Sequence, residues 1–361
     1  MDINKQTQQA GEGSQLVQAG TIVINQGVSE ERVRTVFNEM VPRALEEYTK
    51  EAYAKANERN RNWGNSVLPR VNEVEGMLEA FADPAFQRVL RKAQQSAAVT
   101  DEKADYDLLT ELLVCHVQKG DNRKNRAGIL KATEVVDLID NNALCALTIM
   151  NIVEFAIPTL GDVMLGMYVL SDVYSKLEYT DLPEGIDWME HLELLGAIRL
   201  SRNIKLNKFE DFYARALNGY ACVGIRKESD NYKTAIELLK SIQIGERGLR
   251  DNILLDGYVR LDVPNKDYIE RMILTDKNGI HKIRPDEKDV FIRIWYMYEK
   301  DDELQKKVNK NFMDMWDSFE PLEKIHKWWN SIPMSYDITQ VGKILAHTNA
   351  KRCDPSLPDL L

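Results

Sequence analysis

The chain has 361 residues, 44% of them hydrophobic and 29% charged, the composition of an ordinary globular protein long enough for two domains or one large one. Its net charge of −10 argues against a general nucleic-acid binder, which presents a basic face. Cys115, Cys145, Cys222 and Cys353 lie far apart with no CxxC spacing, so they read as thiols of a reducing compartment, not as a disulfide framework or zinc site.

The first 13 residues are polar and carry no apolar h-region, which reads as a cytoplasmic protein with a disordered tail. Two short apolar runs follow, Leu16 with Val17 and then Thr21, Ile22, Val23 and Ile24, bracketed by Gly13, Gly20 and Gly27. The β-branched residues favour extended backbone. Strands this short are marginal alone, and pairing between copies would close their edges. Residues 1–27 are therefore expected to be a tail and β oligomerisation leader, and the chain a homo-oligomer.

Ser29 caps a first helix with Glu30 and Glu31 in its first turn, and Val33, Val36, Phe37, Met40 and Ala44 keep helical spacing. Pro42 should kink or divide it. A second helix continues from 45 to 61 and closes at Trp63 and Gly64, and a third spans 67–81. Asp83 and Pro84 open a fourth, 85–98. Thr100 caps a fifth that ends at Gly120. Residues 123–139, 142–157 and 162–177 follow. Segment 143–170 is the most apolar in the chain, but Asn151, Glu154, Pro158, Gly161 and Asp162 interrupt it, which suits two core helices better than a membrane span. Residues 28–180 thus read as a helical bundle.

Beyond a boundary at 182–185, residues 186–361 read as a smaller α+β domain. Helices are expected at 186–200, 208–217, 231–241, 286–298, 303–316, 320–329 and 340–350, and a strand at 253–263. Asn278 and Gly279 between two apolar runs form the clearest hairpin signal, within 271–284. The fold class is mainly α, with a β leader, a bundle and an α+β C-terminal domain.

Signals for chemistry are sparse. There is no GxGxxG after a strand, no GxxxxGK[ST], no HExxH and no GxSxG, and no metal or cofactor is expected. His116, His191, His281, His326 and His347 are scattered. Cys115 and His116 are adjacent, so on a helix they point about 100° apart and do not make a nucleophile and base. Arg123, Lys124, Arg126 and Lys131 form the best basic cluster and a candidate phosphate contact, against a plain cationic helix start. Arg59, Arg61 and Trp63 could stack on a base, and a supporting basic groove is what that needs. Asp105, Asp107 and Glu111 could serve a metal-dependent activity, with Asp107 and Glu111 on one helix face. Trp328 and Trp329 are neighbours, so one is expected to face inward and the other an interface.

Two segments carry a resemblance. GSQLVQAGTIVINQGVSEERVRTVF, with LEEYTKEAYAKANER and FADPAFQRVLRKAQQSAAVTDEKADYDLLTELL, and the close YDITQVGKILAHTNAKR resemble a set of uncharacterised bacterial proteins. These begin with a Gly/Asn/Gln-rich β leader, contain an Asp-Pro-x-Phe-Gln step and end in a Leu-Thr-x-x-Gly helix. This chain has Ile338-Thr339 where that pattern has Leu-Thr. The resemblance implies association with mobile and phage-defence loci, and no catalytic residues. The expected function is a non-enzymatic oligomeric protein acting by self-assembly and partner binding in antiphage defence. The alternatives are a metal-dependent nuclease or nucleotide hydrolase, and a membrane-disrupting effector through 143–170; whether the chain is an enzyme stays open.

Overall fold

The computed structural model describes residues 29–46, 48–276 and 279–359. The leader residues Leu16, Val17, Thr21, Ile22, Val23 and Ile24 lie outside the described residues. Within them the fold is mainly helical, with 15 α-helices and 7 short strands.

The bundle is built from well-capped helices. Ser29 Oγ accepts the Arg32 N–H at the start of α1 (Glu30–Ala44), and Pro42 falls in its last turn, just before the chain leaves the helix at Leu45. The expected stop at Trp63 and Gly64 does not occur, because α2 (Lys50–Glu73) runs through both and through Pro69. Trp63 is fully buried and donates Nε1–H to the Tyr106 carbonyl, 3.1 Å. Gly64 sits mid-helix beside the Phe37 ring, where a Cβ would make ordinary contact at 3.4 Å, so it does not end the helix. α3 (Met77–Ala80) is a single turn. Asp83 accepts the Ala85 and Phe86 N–H groups and caps α4 (Pro84–Val99). α5 (Lys103–Lys119) starts after Thr100, whose hydroxyl is engaged with Asp105. α6 (Arg123–Thr133) stops short of the expected 139. α7 (Asn141–Phe155) and α8 (Val163–Leu177) are capped by Asp140 and Asp162.

The second half departs more from expectation. The helix expected over 186–200 ends early as α9 (Asp187–Leu194), and Gly196, at φ +73°, turns the chain into β1 (Ile198–Ser201). β1 pairs antiparallel with β7 (Ser335–Ile338), in register Ile198 to Ile338. α10 (Phe209–Ala216) precedes a small lobe. There, β2 (Ile225–Arg226), β3 (Leu249–Asp251) and β4 (Tyr258–Leu261) form a sheet in order β2-β4-β3, with α11 (Asp230–Ser241) and α12 (Pro285–Trp295) packed beside it. The expected hairpin is β5 (Ile273–Asp276) with β6 (Gly279–Lys282). α13 (Asp302–Trp316), α14 (Glu320–Ser331) and α15 (Gln340–Cys353) close the chain.

Two hydrophobic cores result. The larger runs from Val33 in α1 to Ala350 in α15, and the smaller from Ile225 to Ile294. The last helix belongs to the large core: α15 packs on α5, α6 and α7. Both tryptophans of α14 are buried, contrary to the expected split. Trp328 lies against Trp188 and donates to the Pro183 carbonyl, while Trp329 meets Phe209 and donates to the Asn207 carbonyl. Neighbouring residues on one helix can both be buried when the helix is packed on two sides, as α14 is. The lobe is joined to the body by Arg260, which is buried and donates to the carbonyls of Gly219, Leu261 and Gly161.

Candidate functional site

Of the acids that suggested metal chemistry, Asp107 and Glu111 share a groove, while Asp105 is turned to Thr100. Asp105 accepts from the Thr100 hydroxyl at 2.6 Å, and burial raises its pKa. Glu111 faces Arg70, Oε1 to Nη2 at 2.9 Å; burial lifts its pKa while Arg70 pulls it down. Asp107 shares an outer groove with Glu111, among Arg70, Lys103, Lys351 and Arg352. Among the described residues no three His, Cys, Asp or Glu side chains are placed to hold one metal ion.

Glu111 does line a polar cavity of about 240 Å³ that gathers side chains from three helices: Arg70 from α2, Glu111, Cys115 and Gln118 from α5, and His347 and Lys351 from α15. Burial lowers the His347 pKa, so the imidazole is neutral at pH 7. Burial pushes the Cys115 thiol up to about 12, which leaves almost no thiolate. His116 points elsewhere, its ring 5.8 Å from Phe86, so Cys115 and His116 are separate as their spacing requires. The C-terminal segment closes over the cavity. Lys351 Nζ donates to the Pro355 and Leu357 carbonyls at 2.8 and 2.6 Å, and Asp359 pairs with Lys119. The cavity thus has two permanent cations, one carboxylate and a neutral imidazole, a set suited to holding the chain's own end. No spacing in the sequence signals it, because its parts come from residues 70 to 355.

The basic cluster lies along α6. Arg123 and Lys124 are exposed in its first turn, Arg126 is half-buried, and Lys131 pairs with Glu134 at 3.4 Å, a carboxylate that Lys92 also approaches. The stacking reading of Trp63 fails outright, since Trp63 is core, and Arg59 is turned to the Ala98 carbonyl and Asp101.

The surface that departs most from ordinary is apolar. Segment 143–170 divides in two. Residues 143–153 of α7 are buried, but Phe155, Ile157, Leu160, Met164, Leu165, Tyr168 and Val169 are 38 to 58% exposed. They come from the end of α7, the connecting loop and the outer side of α8. Beneath them lies a groove of about 290 Å³ lined by Ile152, Val169, Val173, Leu357 and Pro358. Monomers seldom expose contiguous apolar patches of this kind without a use. The sequence carried the signal: Met164, Leu165, Tyr168 and Val169 lie on one side of α8, while Val163, Met167 and Leu170 fill the other. A helix apolar all round needs cover on both sides. No helix among the described residues is long and apolar enough to cross a membrane.

No curated protein and no solved structure matches this chain. One protein-family model, whose description reads ":-like", matches residues 27–358. That match takes in every described helix and strand, and the chain belongs to this family.

Proposed function

We propose that the chain is a self-assembling, non-enzymatic protein whose copies meet through the α7–α8 face. The observation that carries this is the exposed apolar surface from Phe155 to Val169. Full burial of one large apolar side chain contributes about 1.5–3 kcal/mol, so covering the exposed half of several of them on each copy works against the cost of association. A second copy suits the face. The charge of −10 repels copies elsewhere, but from 155 to 171 the only charged residue is Asp162, and Arg250 pairs with it at 2.9 Å. A two-fold arrangement would set the same face against itself. The leader, 16–24, supplies the further contact expected from its sequence. The setting, on the resemblance above, is antiphage defence in the bacterial cytoplasm.

Light scattering on the full chain and on Leu165→Asp with Tyr168→Asp tests the reading. Both residues are more than half exposed, so the fold should tolerate the change. The unmodified chain is expected at a multiple of the monomer mass and the double variant at a smaller one. Equal masses for the two would overturn the α7–α8 contact.

A further inference from the structure

The small lobe offers a strand edge. β5 pairs with β6 along one side, and among the described residues nothing pairs with its other side. The register says which groups that side presents. Met272 accepts the Ile283 N–H at 2.9 Å, so residues 272, 274 and 276 direct their backbone toward β6. By the alternation of antiparallel pairs, the N–H and C=O groups of Ile273 and Thr275 point outward. They open onto a groove of about 840 Å³, whose opposite wall is the turn after α11 with Lys240, Ile244 and Arg247. Ile273 and Ile280 lie on the outer face of the hairpin, 66% and 77% exposed, while Leu274 is buried beneath. Exposed edges of this kind are templates for another strand.

The sequence before α1 contains a short β-branched run. Residues 21–24, Thr-Ile-Val-Ile, match β5 in length, and from Gly13 to Ser29 there is no charged residue. We infer that this leader strand adds to the free edge of β5 on a second copy of the chain. Its backbone would pair with Ile273 and Thr275. Alternation would place Ile22 and Ile24 on one face, where they can cover Ile273 and Ile280.

The contact is assigned between copies. Four residues lie between Ile24 and Ser29, so the strand is tied within at most about 17 Å of the start of α1. α1 packs on α2 and α4, both in the body, while the lobe joins the body through Arg250 and Arg260. The inference rests on the self-assembly reading but uses a different surface.

Complementation between two full-length variants tests it. Thr275→Pro removes one outward N–H and spares the hydrogen bonds to β6; Val23→Pro blocks the leader strand. Each variant alone is expected to show a lower assembly mass than the unmodified chain. Mixing the two should restore mass, because each supplies what the other lacks. Amide exchange on the unmodified chain gives a check that needs no folded proline variant: the Ile273 and Thr275 amides should be protected, and should lose at least tenfold protection in Val23→Pro. Assembly of Thr275→Pro equal to wild type, no restoration on mixing, or unprotected Ile273 and Thr275 amides would each overturn the inference while leaving the α7–α8 contact standing. A full chain that is monomeric throughout would overturn both.

Discussion

The helical body and the small lobe solve the same problem unequally. The body gathers α1 to α10 and α13 to α15 round one core, with Trp63, Trp316, Tyr174 and Tyr213 fully buried, and leaves an apolar face on α7 and α8. The lobe has a smaller core, from Ile225 to Ile294, and builds two small sheets whose edges are free among the described residues. Helices satisfy their own backbone, so the body's unfinished surface is made of side chains. Short strands do not, so the lobe's unfinished surface is also backbone. One molecule therefore offers two kinds of unfinished surface, an apolar face and a strand edge.

The sharpest break in this comparison comes from the body. Trp316 is fully buried, donates Nε1–H to the Leu322 carbonyl at 2.9 Å and packs on Phe209 and Tyr213. Trp316→Ala should cost about 3–5 kcal/mol in denaturant unfolding, with body and lobe losing structure together. Next is the joint between the regions. Arg260→Met leaves the carbonyls of Gly219, Leu261 and Gly161 without this donor and should cost about 2–4 kcal/mol. Amide exchange should then accelerate in β2, β3 and β4 more than in α5; uniform acceleration would mean the lobe is no separate unit.

A smaller effect tests the body's polar cavity. Burial holds the folded-state pKa of His347 below the ordinary histidine value, so the unfolded chain binds its proton first as pH falls. The stability that His347 lends as a neutral ring is present above about pH 6.5 and is lost below it. His116 acts in the same direction. Glu111 and Asp105, raised by burial, act oppositely as pH falls toward the carboxylate range. His347→Gln should therefore show a shallower fall in stability between pH 7 and 5.5 than wild type, and an identical slope would contradict the assignment. The smallest change is expected at Lys306, whose pairing with Glu303 is exposed at both ends. Lys306→Ala should move stability by no more than about 0.5 kcal/mol.

Much of the helical layout was legible in the sequence because caps are local. Ser29, Asp83, Asn122, Asp140, Asp162 and Thr339 each stand where their side chains meet free helix N–H groups. The β5–β6 hairpin was legible for the same reason, through its turn. What failed was non-local. β1 and β7 are four residues each and pair across more than a hundred residues of chain, so neither shows a pattern alone. Gly64 reads as a helix stop, yet α2 runs through it, and no local pattern announces that a Cβ at Gly342 would collide with the Ala197 carbonyl. The polar cavity escaped because Arg70, Glu111 and His347 share no spacing. The outward side of α8 escaped because apolar residues on every side of a helix do not say which side a neighbour covers.

The most direct test of the account is the mass of the full chain in solution across a wide concentration range, measured beside Leu165→Asp with Tyr168→Asp. Copies joined through the α7–α8 face predict a stable multiple for the unmodified chain and a drop for the double variant with its helical content intact. A single monomer mass for both chains at every concentration would contradict it.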